Sequence, residues 1–595
     1  LDGGITKRIR KIHKVRRIEF CTDSNRPVVF MPTLDDYLSQ SFKKKEKGDN
    51  KMRDKAKVKG RKRKTKAEKV KKDKIEEYYE LEPELEKKLW AAADKLRKKV
   101  EVHEYKYIVL GLIFLRYLSE AFERRRAELE KRFGDPESED YIEDPEMRRA
   151  AIEDEEYYIE AGVFYLPEEA RWEYFKKNAN QPNIGEIIDN AISTLEEMYP
   201  DQLADVIPKK YAEINLSPDE LAYLINLFTD IDFGKGKDGR DLFGRIYEYF
   251  LGKFAQVEGQ KGGEFYTPRS LTRLIVEVLD VREGKIFDPA CGSGGFFVAA
   301  LEREGVDKTK LAIYGQESKE GPWKICKMNL AIRGAEGDIR LGDSYHDDKF
   351  MDERFDFVVS NPPFNDSRWG ADKISEDDPR IKIVSDEETL IPPDNNANYM
   401  WILHFLYHLK PNGKTGFVMA NGALSAGGVE GKIRKKLVEK DLVYGIVAAP
   451  PKLFYNVSLP VSLWFMRKKK PEHMKGKVLF INAKNLYKQI SRRQNVMTEE
   501  HIKRIVEKFR LFEEGRYDEI DEVGFAKVST IDEIAKNNYV LTPGRYVGVK
   551  LEFDDERTFE EKMKEYSEEL SKLFQEEENL KLKIKEVFEE LGWKV

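Results

Sequence analysis

Cysteine is nearly absent: Cys21, Cys291 and Cys326 are the only three in 595 residues. They share no metal-ligand spacing and cannot build a disulfide framework, which points to a reducing cytoplasm. Histidine is scarce too, at seven residues. His404 and His408 stand one helical turn apart and could form half of a zinc site. No Glu follows His404 and no third ligand is evident, so core packing is the expected role and no metal is expected. No apolar run reaches the ~18 residues of a membrane span, and residues 1–30 hold no apolar signal-peptide core. The chain also lacks the commonest phosphate-binding loops. No Gly-Lys-Ser/Thr closes a Walker A sequence, and no GxGxxG follows a strand.

Charge is what the chain has in abundance. Charged residues make up 36% of it against 40% hydrophobic, a thermophile-like balance on a globular protein of two to four domains. The net charge of −5 is unevenly spread. Residues 1–74 carry 26 basic and 10 acidic residues, which leaves the remainder near −21. Phosphate binding needs clustered Lys and Arg, so a body this acidic is by itself a poor match for a polyanion.

Hydrophobic patterning divides the chain into four stretches. Residues 1–80 read as a basic arm, because Lys43 to Lys74 has too few apolar residues to pack. Residues 81–235 read as a helical domain, with Leu85, Leu89, Ala92, Ala93 and Leu96 on one face and further helices over Ile187–Met198 and Pro218–Leu227. The acidic segment 137–156 within it is read as solvated or lid-like. Residues 236–545 alternate strands and helices as a doubly wound α/β sheet does. Residues 546–595 end in a long polar helix. Phe559, Met563, Tyr566, Leu570, Leu573, Leu580, Ile584, Val587 and Leu591 recur three and four apart, broken only by Glu577. Sustained heptads of this kind imply a partner helix, or packing back on the chain's own helical domain.

The chemistry lies in the third stretch. The run Phe355–Ser360 stops hard at Asn361-Pro362-Pro363-Phe364, because prolines cannot donate to a ladder and force extended backbone. That leaves an amide oxygen, a proline carbonyl and an aromatic face, which together suit a planar group carrying an amino group. A proline-rich turn capped by a core Phe is the competing reading. Upstream, the strand ending at Asp288 runs into Gly292-Ser293-Gly294-Gly295 and a helix-like run from Phe296 to Glu304. Glycines let a ligand approach the backbone at the carboxyl end of a strand. The next strand, from Leu311, ends in Gln316-Glu317, where a ribose-binding acid belongs. A further strand ends at Gly342-Asp343.

Together these motifs resemble amino-methyltransferases that use S-adenosylmethionine. Glu264, Phe265, Tyr266, Thr267, Pro268 and Arg269 resemble the extra cofactor motif of the gamma-order N6-adenine DNA methyltransferases. Over residues 80–595 the chain is similar to the modification (M) subunit of type I restriction–modification enzymes. That resemblance implies a Rossmann-like catalytic domain, an N-terminal helical domain and a C-terminal helix docked on a specificity (S) subunit. It implies double-stranded DNA as substrate, a flipped-out adenine, a second M subunit, and a complex that admits a restriction (R) subunit. Asn361, Pro362, Pro363 and Phe364 would be catalytic. Glu317 would hold the ribose and Asp343 the cofactor's adenine. Gly292, Ser293, Gly294 and Gly295 would meet the methionine part, with Asp288 orienting the loop or the amino group. Residues 1–80 have no counterpart in that family, and with Leu1 first and Met52 a candidate start they are read as an extension foreign to it. Two other functions fit parts of the pattern. A stand-alone adenine methyltransferase should carry its own recognition domain, and no such insertion is evident. A protein glutamine methyltransferase typically has Tyr at the fourth position, where this chain has Phe364.

Overall fold

The computed structural model describes residues 87, 89–90, 102–214, 216–230, 249, 267–385, 388–454, 459–490, 494–549 and 559–590. The basic segment 1–80, Glu264, Phe265 and Tyr266 lie outside them.

The helical layer is built around α1 (Val102–Gly134). Its stretch from Ile108 to Leu115 is buried almost all round, which places it in the interior of the layer. Around it pack α2 (Trp172–Asn178), α3 (Ile184–Met198) and α4 (Pro218–Thr229). Helix α4 starts sharply because Ser217 and Glu220 form a reciprocal cap at its first turn. The acidic segment is ordered: it folds back on the end of α1, with Arg132 on Asp140 at 2.7 Å and the Arg148 guanidinium donating to the Ile142 carbonyl.

A nine-stranded sheet forms the rest of the body. Its strands are β1 (Gly284–Asp288), β2 (Leu311–Glu317), β3 (Gly337–Leu341), β4 (Phe355–Ser360), β5 (Leu409–Ala420), β6 (Val443–Ala448), β7 (Val461–Arg467), β8 (Lys477–Asn482) and β11 (Ala526–Thr530). A separate ribbon pairs β9 (Lys488–Gln489) with β10 (Asn495–Val496). The spatial order is β11-β8-β6-β7-β5-β4-β1-β2-β3. Strands β3, β2, β1, β4 and β5 run parallel, β7 inserts antiparallel between β5 and β6, and β8 follows parallel to β6. Near-continuous apolar strands such as Val443–Ala448 fit because both sheet faces are covered. One face carries α5 (Arg269–Leu279), α6 (Gly295–Leu301), α7 (Glu320–Ile332) and α10 (Glu499–Glu513). The other carries α8 (Asn398–Tyr407) and α9 (Gly428–Glu439).

Element ends shift from the sequence reading: α3 starts at Ile184 instead of Ile187, and α4 runs on to Thr229 instead of Leu227. Helix α6 ends at Leu301 instead of Glu304, with Glu302 as its cap. Strand β5 starts at Leu409 and takes in Pro411, well upstream of the apolar run Gly416–Ala420. A register shift opposite Phe355 and Phe357 absorbs Pro411-Asn412-Gly413, the sort of irregularity that lets proline into a sheet.

Helix α7 joins the two layers. Its Ile325, Met328 and Ile332 lie in the helical layer's core, and Tyr117 Oη donates to the Ile332 carbonyl at 2.8 Å. Gly321 is where Tyr107 crosses: a Cβ there would sit 1.7 Å from the Tyr107 hydroxyl.

Candidate active site

The carboxyl ends of β1, β2, β3 and β4 converge, and each carries one of the sequence motifs. At the end of β1, Asp288 is 1% exposed and accepts the Ala290 N–H at 3.1 Å. Burial pushes its carboxyl up to about 7, the neighbouring Glu317 adding to the rise and the Ala290 N–H opposing it. The chain then turns through Gly292 (φ +52) and Gly294 (φ +78). Both lie in the left-handed region that glycine occupies without strain. Space beside Gly292 is open, with no atom within 4 Å of where a Cβ would stand. At Gly294 a Cβ would meet Cys326 Sγ at 2.8 Å. The Ser293 carbonyl accepts from Asn329 Nδ2 at 2.8 Å, which ties the loop to α7. Cys291 lies buried beside Cys326. The hydrogen bond to Cys326 and burial raise its thiol well above the ordinary range, so it fills space instead of acting as a nucleophile.

Glu317 ends β2 and is 9% exposed. Its Oε2 accepts the Gly292 N–H at 2.9 Å and its Oε1 the Lys319 N–H at 2.9 Å. The acid is thus locked to the glycine loop across the β1–β2 border. Asp343 follows β3 and turns its carboxylate onto the Tyr345 N–H at 2.9 Å, while Ser344 Oγ donates to the Pro289 carbonyl at 2.6 Å. The third motif is therefore pinned to the first.

At the end of β4, Pro362 is buried and Pro363 is exposed. Asn361 Nδ2 donates to Thr267 Oγ1 at 2.9 Å, and its Oδ1 is buried with no hydrogen-bond partner among the described residues. A buried acceptor left open costs about 1–3 kcal/mol, and such an atom asks for a ligand's N–H. Phe364 lies edge-on to Phe454, ring centroids 6.3 Å apart. Beyond it Asn365 adopts φ +54, held by a reciprocal amide pair with the buried Asn398 at the start of α8, both bonds 2.9 Å. Arg269 points elsewhere, its guanidinium pairing with Glu302 past the end of α6 at 2.6 Å. Sequence reasoning missed the roles of Asn398 and Phe454, whose only signal is proximity in space.

The histidine pair gains a third neighbour. Asp348, His404 and His408 offer ligand atoms within 4.8 Å of one another. The geometry favours proton sharing over metal ligation. His408 Nε2 meets Asp348 Oδ2 at 2.8 Å, and the Arg380 guanidinium lies 3.4 Å from His404 Nδ1, where a metal would need that lone pair. Burial alone would raise the Asp348 carboxyl. The hydrogen bond from His408 and the two imidazoles hold it down to about 2.

Residues 238–555 match the N-6 DNA methylase family, and residues 85–228 match the HsdM N-terminal domain. The chain is 67% identical over 521 residues to the type I restriction enzyme MjaIX methylase subunit of Methanocaldococcus jannaschii, covering 87% of this chain and 93% of that one. It is 35% identical to the HindI methylase subunit of Haemophilus influenzae, over 72% of this chain and 100% of that one. The chain belongs to the N-6 DNA methylase family of type I restriction enzymes. A solved type I methyltransferase subunit from Streptococcus thermophilus superposes on the methylase with a TM-score of 0.63 at 26% identity, covering 78% of this chain and 99% of that one. The methylase's methyl donor is S-adenosylmethionine. The residues present fit that group: an open glycine turn and, bonded to it, a buried strand-end acid. Among the described residues no helix is long and apolar enough to cross a membrane.

Proposed function

We propose that the methylase transfers a methyl group to the N6 of an adenine flipped out of double-stranded DNA. In this reading a separate specificity subunit, held by the C-terminal helix, supplies the sequence choice. The open, buried Oδ1 of Asn361 carries this reading. Adenine N6 is a weak nucleophile because its lone pair is delocalised into the ring. Accepting its two N–H bonds on Asn361 Oδ1 and the Pro362 carbonyl localises that pair and aims it along the transfer line. Glu317 holds the donor's ribose, Asp343 its adenine, and Gly292 to Gly295 its methionine part, with Asp288 beside the amino group. Bound S-adenosylmethionine supplies a methyl carbon on a sulfonium, open to direct in-line displacement. Positioning is worth several kcal/mol when both reactants are fixed, and the surplus proton leaves N6 after transfer without a strong base. Phe364 stacks on the extruded base, since a base within the duplex cannot reach this edge.

The C-terminal helix, α11 (Phe559–Glu590), supports the partner half of the reading. Met563, Tyr566, Leu570, Leu573, Leu580 and Ile584 along its seam are all at least half exposed, so none is covered by the chain's own helical layer. An apolar heptad seam left open fits a partner helix. A second M subunit and a restriction subunit complete the proposed complex, which works in the cytoplasm.

Methyl transfer from labelled S-adenosylmethionine to DNA, with and without the co-expressed specificity subunit, tests the reading. N6-methyladenine formed only with the partner is expected, and Asn361→Ala should abolish it while retaining cofactor binding. Transfer by the chain alone would establish a stand-alone enzyme instead. Normal turnover in Asn361→Ala would overturn the assignment of the acceptor.

A further inference from the structure

Thr267 belongs to the sequence motif assigned to the cofactor, yet its side chain meets the acceptor half of the site. Asn361 Nδ2 donates to Thr267 Oγ1 at 2.9 Å. An asparagine amide has one accepting end and one donating end of nearly equal size, so its orientation depends on its hydrogen bonds. With the NH2 end satisfied by Thr267, Oδ1 is the end left for a substrate, and it is the end found buried and open. Reversed, the side chain would offer two N–H donors to an amino group and could not accept from it.

We propose that Thr267 is a positioning residue for methyl transfer: its hydroxyl accepts from Asn361 Nδ2 and anchors that side chain at the strand end, with Oδ1 left for the target amine. The inference rests on the reading of Asn361 as the acceptor of the adenine amino group. Thr267 stands directly before the packed start of α5. Pro268 follows it and opens α5, its carbonyl accepting the Leu271 N–H at 2.8 Å and the Thr272 N–H at 3.2 Å. Helix α5 in turn buries Leu271, Leu274 and Ile275 against the sheet. An orienting group on a packed helix end holds its partner more closely than one on a loop. The hydroxyl therefore joins β4 to α5 across 94 residues of sequence at the point where the reacting nitrogen must stand.

The test compares Thr267→Val, which keeps the side-chain volume but removes the acceptor, with Thr267→Ser, which keeps the hydroxyl. Both are made in the full chain co-expressed with its specificity subunit. Single-turnover methyl transfer is measured at saturating DNA and cofactor, and S-adenosylmethionine affinity is measured separately by calorimetry. The expected result is a fall of about 10- to 100-fold in the transfer rate of Thr267→Val, the scale of a small misplacement of a reacting group. Cofactor affinity should stay within about threefold, and Thr267→Ser should keep most of the rate. Three outcomes overturn the proposal: a Thr267→Val rate near wild type, a loss explained by weaker cofactor binding, or Thr267→Ser as impaired as Thr267→Val. Failure of the wild-type complex to methylate adenine would defeat the proposed function itself. Wild-type activity with an indifferent Thr267→Val would defeat only this inference.

Discussion

At the residue scale, Asp288 is the side chain whose surroundings make the sharpest demand. Its carboxyl is raised to about 7 from an ordinary 3.8, chiefly by burial. A raised acid favours the folded state while protonated. Its contribution to stability is full below about pH 3.8 and is lost as pH climbs toward 7. Asp288→Asn cannot ionise, so the unliganded variant should melt higher than wild type at pH 8 and show a flatter melting profile between pH 4 and 7. If Asp288 faces the cofactor's ammonium as proposed, the same substitution weakens cofactor binding by about tenfold or more, the scale of a lost charged hydrogen bond. Wild-type affinity should then rise with pH up to about 7 and fall again as the ligand's ammonium loses its proton at about pH 8. A wild-type affinity flat from pH 5 to 8 by calorimetry would place Asp288 away from that ammonium. Asp288 was legible in the sequence because strand, Asp-Pro and glycine turn are contiguous. The bonds from Thr267 to Asn361 and from Asn365 to Asn398 were not, because they join residues 94 and 33 positions apart. Local periodicity carries no information about which distant strand ends become neighbours.

Among the elements, β5 and α11 show what pattern reading reaches and where it stops. The apolar run from Gly416 reads as a strand, and Pro411 upstream of it is not a residue that a central strand normally admits. Only the register shift against β4 reveals how Leu409 to Gly413 joins the sheet. The heptads of α11 were plain from sequence, and its described seam residues Met563, Tyr566, Leu570, Leu573, Leu580 and Ile584 are at least half exposed. A substitution that charges the seam should therefore leave the body intact. Leu570→Glu with Leu573→Glu is expected to abolish copurification with the specificity subunit and to leave cofactor affinity and the melting temperature of the isolated chain within error. Retained copurification would move the subunit contact to another surface.

For the whole molecule, the division of charge sets how DNA can be engaged. With residues 1–74 set aside, the chain carries a net charge near −21, a poor match for a polyanion. Deleting residues 1–80 should leave methylation by the assembled complex unchanged, as judged by N6-methyladenine content. A loss would make that basic stretch a DNA grip. The family resemblance was readable from residue 80 onward, because four of its motifs sit at strand termini and the doubly wound order then gathers those termini on one edge. The border between β1 and β4 has a consequence for descent. In the proposed scheme Asp288, the glycine turn, Glu317 and Asp343, which hold the methyl donor, hang on β1, β2 and β3, and Asn361 and Phe364, which present the accepting amine, hang on β4. The two halves belong to different stretches of sequence and meet where those strands pair and where α5 packs on α6. Drift in the turn after β4 can therefore change which nucleophile is accepted without disturbing how the methyl group is delivered, so one ancestral delivery half could serve many acceptors.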